Sequence, residues 1–264
     1  MTTPPDKTVT ADRAAELLRL HQDPALLTVV NVWDVVSARA VAAAPGTKAL
    51  ATASHSIAAT FGYPDGEQIP VELMLDMVGR IVADSDLPVT ADLEGGYGDA
   101  AETVRRAIGV GVVGANIEDQ MKPLPEAAAQ VEAIMRVAAE EGVDFVLNAR
   151  TDAFVLGRDR EPSAVMDDAL ERGRAFLDAG APVVFVPAVL SEEQVTTFVE
   201  AFGPQRLSCI GIPGLPSLAR LEELGVARVS YGPMPQRVAL TALQELVEEI
   251  HRGGGVPSTM RPLN

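Results

Sequence analysis

Short apolar runs rich in β-branched residues alternate along this chain with longer stretches in which apolar positions recur every three or four residues. Eight of the short runs, over 27–32, 48–54, 88–94, 112–118, 145–151, 183–187, 207–212 and 227–231, read as strands buried on both faces. Between them the helical period predicts helices over 35–44, 70–83, 99–108, 125–141, 162–179, 191–202, 216–224 and 235–252, with an extra helix over 11–21 ahead of the first strand. Glycines at 142, 180, 203 and 225 stop four of these helices, and Ser191 with Gln194 forms a capping box. Eight strand–helix units with no long linker predict an α/β fold, a single (β/α)8 TIM barrel. A doubly wound open sheet is the alternative that alternation alone leaves standing.

Composition narrows the partners more than the fold. The 264 residues are 47% hydrophobic and 22% charged, the balance of a globular chain with a large core. Thirty-seven acidic against twenty-one basic residues give a net charge of −16. So acidic a surface argues against a nucleic-acid backbone or an anionic membrane as partner. Cys209 stands alone and the histidines number three, which argues against a disulfide framework and a soft-ligand zinc site. No apolar run is long enough to span a bilayer, and the first residues lack the apolar stretch of a secretion signal; a cytoplasmic location is expected. One domain over 1–264, with tails at 1–8 and 253–264, accounts for the chain.

In a barrel, chemistry gathers where the strands end. The third run closes on Thr90, Asp92 and Glu94, the fourth on Asn116 and Glu118, the fifth on Asn148, Arg150 and Asp152. Alternation of faces puts each set on one side of its strand, with Ala91, Leu93, Ala115, Ile117 and Ala149 on the other. Asp92, Glu94 and Glu118 crowded together repel one another, and a hard divalent cation, Mg2+ or Mn2+, removes the conflict. Magnesium keeps several waters, so one direct carboxylate suffices. The competing reading is a buried salt-bridge network with Arg150 that serves packing alone. Arg150 offers a bidentate fork to an anion, or else pairs only with Glu118 or Asp152.

Around this ring lie weaker signals. Ser54-His55-Ser56 follows the second strand; its small residues either leave backbone N–H groups free for a substrate carboxylate or cap a turn. Asp65 lies in a Pro-Asp-Gly turn sequence, and Trp33 at the end of the first strand either walls a pocket or joins the core. Gly95-Gly96-Tyr97-Gly98 permits a sharp turn but matches no nucleotide-binding framework.

With these residues in place, the chain resembles the isocitrate lyase / phosphoenolpyruvate mutase superfamily. The likeness runs from Asn31-Val32-Trp33-Asp34 to Val229-Ser230-Tyr231-Gly232-Pro233. It is most specific at Gly62–Asp65, Asp92–Gly98, Asn116–Asp119 and Asn148–Asp152. The resemblance implies a barrel, a homotetramer in which the eighth helix (235–252) swaps onto a neighbour, and a Mg2+ nearest Asp92, with Glu94, Glu118 and Asp65 acting through water. It implies that Arg150 grips a small anionic 2-oxo acid while backbone at Ser54–Ser56 cradles a carboxylate. In the phosphonomutase branch the residue matching Asp65 accepts a phosphoryl group. Glu94 stands where many members have aspartate, and His55 where relatives tend to carry a small residue.

Departures from the family pattern separate its branches. The isocitrate and methylisocitrate lyases carry a Lys-Lys/Arg-Cys-Gly-His loop, whereas this chain reads Asp119-Gln120-Met121-Lys122-Pro123 there, without cysteine or histidine. Phosphonomutases carry a lysine and an asparagine in that lid; Lys122 is the candidate cation, and no asparagine follows. The expected activity is therefore Mg2+-dependent cleavage of a C–C bond in a small 2-oxo or 2-hydroxy dicarboxylate such as oxaloacetate. Asp65, Glu118 and Arg150 are the catalytic candidates, and Trp33, Ser54, His55, Ser56 and Asp92 the substrate-binding ones. Rearrangement at a P–C bond is the alternative, and a catalytically idle binder of 2-oxo acids a second.

Overall fold

The apolar run at 27–32 is broken at Val30 into β1 (Leu27–Val29) and β2 (Asn31–Val32) in the computed structural model, which describes residues 6–263. β1 pairs with β9 (Arg228–Ser230), and β2 pairs with β3 (Leu50–Thr52). The sheet is completed by β4 (Val89–Asp92), β5 (Gly114–Glu118), β6 (Val146–Arg150), β7 (Val183–Val186) and β8 (Leu207–Ile210). All pairings are parallel, in the order β1-β9-β8-β7-β6-β5-β4-β3-β2. Because β1 and β2 are consecutive in the chain, the sheet closes on itself and the doubly wound alternative falls. The fold is a (β/α)8 barrel. Asn31 bridges the seam: its Nδ2–H donates to Thr52 O at 2.8 Å while its Oδ1 accepts from Tyr231 N at 2.7 Å and Gly232 N at 2.9 Å.

The helices packed outside this sheet are α2 (Val35–Ala42), α4 (Val71–Ala83), α5 (Ala100–Gly109), α6 (Leu124–Glu140), α8 (Pro162–Asp178), α9 (Glu192–Phe202) and α10 (Leu218–Glu223). The last helix is α11 (Met234–His251). Two short helices escape the sequence pattern: α3 (Ser54–Thr60) and α7 (Ala153–Leu156) start where a strand-like reading would continue. The expected capping box forms, with Ser191 Oγ accepting from Gln194 N at 3.2 Å. The strands are shorter at their C-terminal ends than apolar content suggests, since the chain turns there to build the barrel's mouth. The period-two argument therefore stops at Asp92, and Glu94 lies beyond the strand with a left-handed φ of 53°.

The N-terminal helix α1 (Lys7–Gln22) begins earlier than its apolar pattern, capped by Asp6. Of the tail expected at 1–8, residues 1–5 lie outside the described residues and Lys7 and Thr8 are already helical. α1 closes the N-terminal end of the barrel. Arg13 Nη2 donates to Ser85 O at 2.7 Å, just ahead of β4, and Leu17 is wholly buried against Gly114. A Cβ at Gly114 would stand 2.7 Å from Val146 O and 2.9 Å from Leu17 Cδ2. Gly114→Ala is therefore expected to cost about 1–3 kcal/mol in urea unfolding, the usual penalty of overpacking. Wild-type stability in that variant would mean that α1 yields freely. Buried His21 donates from Nδ1 to Leu17 O at 2.8 Å, and desolvation together with the nearby Arg228 charge pushes its pKa down to about 3.

α11 stands off the barrel. Gln236 is its one buried residue, held through Nε2–H to Ser56 O at 3.1 Å, whereas Val238, Leu240, Leu243, Val247 and Ile250 are exposed. Residues 253–263 follow in exposed, irregular conformation. Among the described residues, no helix is long and apolar enough to cross a membrane.

Candidate active site

Three adjacent strands bring their last polar residues to one mouth. In register, Asp92 stands beside Asn116, Asn116 beside Asn148, and Glu118 beside Arg150. Beneath the charged groups, Asn148 Nδ2–H donates to Asn116 Oδ1 at 2.7 Å and makes a neutral polar floor. Asp92 is fixed from the β3 side, its Oδ2 accepting from Ser54 N at 3.1 Å and from Ser54 Oγ at 2.7 Å. That corrects the expected carboxylate cradle. The Ser54 N–H is spent on Asp92 and the Ser56 N–H on Ala53 O, leaving the His55 N–H without a partner among the described residues. Trp33 sits half-buried against the core, and Ser37 Oγ accepts from its N–H at 3.0 Å.

Arg150 is flanked by two acids. Its Nη1 lies 2.7 Å from Glu118 Oε2, and its Nη2 and Nε lie 2.7 Å and 2.8 Å from Asp152 Oδ1. A guanidinium has five N–H donors. Of these the Nε–H donates to Asp152 Oδ1, while Nη1 and Nη2 face Glu118 and Asp152 as ion pairs. Asp152, past the strand end at the start of α7, is held by a buckle that sequence spacing did not reveal. Asp119 Oδ1 accepts from Asp152 N at 3.0 Å and from Met121 N at 3.0 Å, and buried Arg172 reaches Asp119 Oδ2 at 3.1 Å. The available signal was an arginine in the buried stripe of α8, alongside Val165, Ala169 and Phe176.

Glu94 takes a different place from the one its spacing suggested. Its Oε2 accepts from the Glu67 N–H and its Oε1 from Tyr97 OH at 3.0 Å, while Glu67 Oε1 accepts from Tyr97 N. The carboxyl thus pins the 62–68 segment to the rim, a role for Glu67 and Tyr97 that no motif announced. Asp65 is exposed on that segment, close enough to act on Glu94 electrostatically. Among the described residues no three acidic, histidine or cysteine side chains converge as a ready ligand cage. A cation at this mouth would accordingly meet few protein oxygens directly. The all-oxygen donor set suits a hard, largely hydrated ion such as Mg2+.

Crowding shifts the acids. Burial pushes Glu118 up to about 8, the opposing pull of Arg150 being outweighed once Asp152, Asp92 and Glu94 are added. Burial likewise lifts Glu94 to about 7, against the hydrogen bonds from Glu67 N and Tyr97 OH. Both acids hold protons in the folded chain that the unfolded chain has already released, so stability falls as pH rises toward 8. Below about 6.5 the neutral His21 acts in the opposite sense. Between about pH 6.5 and 8, with chelator present, unfolding free energy should fall by roughly 1 kcal/mol per pH unit. Glu118→Gln should flatten that slope in urea titrations, and an unaltered slope would show that Glu118 is ionised throughout.

The family model for phosphoenolpyruvate phosphomutase matches residues 17–251, nearly the whole barrel. The chain belongs to this family, within the PEP mutase/isocitrate lyase superfamily. A provisionally named phosphonomutase of Burkholderia cenocepacia J2315 superposes with a TM-score of 0.83 at 38% identity, covering 93% of this chain and 100% of that one. Oxaloacetate acetylhydrolase in complex with the product oxalate gives a TM-score of 0.84 at 26% identity, covering 96% and 92%. Oxaloacetate decarboxylase of Paraburkholderia xenovorans LB400 is 28% identical over 243 residues, covering 86% of this chain and 78% of that protein.

Within this PEP mutase-like barrel the loop after Glu118 is short and tied down. Lys122, the one cation proposed for a phosphonomutase lid, donates from Nζ to Gln130 Oε1 at 2.8 Å on α6, and its carbonyl accepts from Arg172. Cys209 is buried in β8 and its thiol is pushed up to about 12 by burial, so it supplies no acid/base here.

Proposed function

We propose that the protein is a Mg2+-dependent lyase that cleaves a C–C bond in a small 2-oxo or 2-hydroxy dicarboxylate of the oxaloacetate type. The observation that carries this reading is Arg150, clamped by Glu118 and Asp152 and within the field of Asp92 at the barrel's mouth. The relatives named for oxaloacetate chemistry, one of them holding oxalate, support the substrate class. Asp92, with Glu118 and Glu94 through water, would hold the cation, which when bound supplies Lewis-acid polarisation of the 2-oxo carboxylate. Arg150 and the His55 N–H hold the substrate's carboxylates. Trp33, Ser54 and Ser56 shape the wall beside them. Glu118 keeps a proton at its carboxyl to near pH 8 and is the group to deliver or receive one as the bond breaks. The short, fixed loop bearing Lys122 weighs against the lysine–asparagine lid of the phosphonomutases.

A second reading, P–C bond rearrangement, is favoured by one observation: Asp65 is exposed on the segment that Glu94 pins beside the mouth. A catalytically idle 2-oxo acid binder is the third. The exposed apolar face of α11 supports a homotetramer in which that helix packs on a neighbouring subunit. The acidic surface is in keeping with a soluble cytoplasmic enzyme whose partner is the small anion alone. The test is a product-NMR screen of 2-oxo acids, 2-hydroxy dicarboxylates and phosphonopyruvate with Mg2+. Pyruvate or oxalate formed from a dicarboxylate is expected. Turnover of the phosphonate alone, abolished by Asp65→Asn, would replace the lyase assignment with the mutase. Oxalate binding without any turnover would leave the binder.

A further inference from the structure

Arg228 is the first residue of β9 and is 1% exposed, the largest of the fully buried side chains. It aligns in register with Leu27 on one side and Ser208 on the other. Among the described residues its Nε and Nη1 have no hydrogen-bond partner, and neither does the buried Ser208 Oγ beside it. An isolated guanidinium is costly to bury away from water. Nothing in its immediate surroundings repays that cost. His21 on α1 is neutral, with its Nδ1–H committed to Leu17 O. The acid whose field reaches Arg228 is Asp92, and Arg228 stays a cation at neutral pH despite its burial.

The mouth above needs such a charge. Asp92, Glu94, Glu118 and Asp152 act on one another there, with Arg150 as the cation they share. With Glu118 protonated, a doubly charged ion and Arg150 at most balance the other three acids, and a dianionic substrate brings two further negative charges. We propose that Arg228 is a second, buried cation of the anion site, which acts through space within the field of Asp92 to offset the charge a dicarboxylate brings. It is a positioning residue that touches neither metal nor substrate. The inference rests on the dicarboxylate reading above and deepens it: the site discriminates by total charge as well as by Arg150's fork.

This role gives opposite signs for the two ligands, which a packing role does not. Removing a fixed positive charge favours a cation and disfavours an anion. In Arg228→Met, Mg2+ alone should bind roughly tenfold tighter, and oxalate on the Mg2+-saturated protein roughly tenfold weaker, by calorimetry. Arg228→Lys, which keeps the charge and loses the fork, should restore both constants to within about threefold. Thermal unfolding of Arg228→Met should be unchanged or raised, because a buried unpaired charge has been removed. If wild type binds both ligands and the Met variant weakens both or neither, the proposal is overturned while the dicarboxylate reading stands. If wild type binds neither Mg2+ nor oxalate, both are overturned.

Discussion

Asp92→Ala is expected to abolish Mg2+-dependent turnover, with kcat/KM down at least about 10³-fold and the Mg2+ binding heat lost. The size follows from the several kcal/mol that a correctly placed cation contributes to stabilising developing charge. Asp92 also accepts two hydrogen bonds from Ser54, so alanine frees the first turn of α3 as well as removing a ligand. Asp92→Asn separates these effects. The amide oxygen can still accept from Ser54, so circular dichroism and Tm should stay near wild type while metal binding collapses. Activity retained in both variants would sink the metal-centred reading of this mouth.

Arg150→Met should do damage of two kinds that differ with pH. Oxalate affinity should fall by about 10²–10³, the cost of removing one partner from a desolvated charged contact. The variant also leaves Glu118 and Asp152 without their shared cation. Breaking a buried pair from one side typically costs about 3–5 kcal/mol. Burial already raises both acids. Protonation therefore relieves that cost on the acid side, and urea unfolding should show a large loss at pH 8 and a small one at pH 6. Arg150→Lys should recover much of the stability at pH 8 but little of the oxalate affinity, since an ammonium lacks the planar fork. If Arg150→Met loses stability yet binds oxalate as wild type does, Arg150 is a packing cation only.

The barrel was legible because strands buried on both faces must be apolar for their whole length, and helices on a sheet must repeat at 3.6. The acid ring at the ends of β4, β5 and β6 was legible for the complementary reason: polar residues closing an apolar strand have nowhere to go but the rim. Period two, however, describes only extended chain. It misplaced Glu94, whose left-handed φ sends the carboxyl to Glu67 and Tyr97. It read Ser54 as a free donor when α3 begins there and turns its N–H toward Asp92. The buckle between Asp119 and Arg172 spans 53 residues of chain, a separation across which no local pattern operates.

By itself, then, the order of residues determined the alternation of eight strands with their helices, the acidic rim, the absence of a lyase-type cysteine loop and the family likeness. All of these are written in local periodicity or in short contiguous motifs. Tertiary structure decided how the first strand splits to close the sheet and how Arg150 is shared between Glu118 and Asp152. It also decided that Lys122 is tethered to Gln130, and that Arg228 lies buried in the field of Asp92 without a hydrogen-bond partner at Nε or Nη1 among the described residues. Each of those depends on groups far apart in the chain meeting where water is excluded. There, charge and hydrogen bonding are settled by what lies across the barrel.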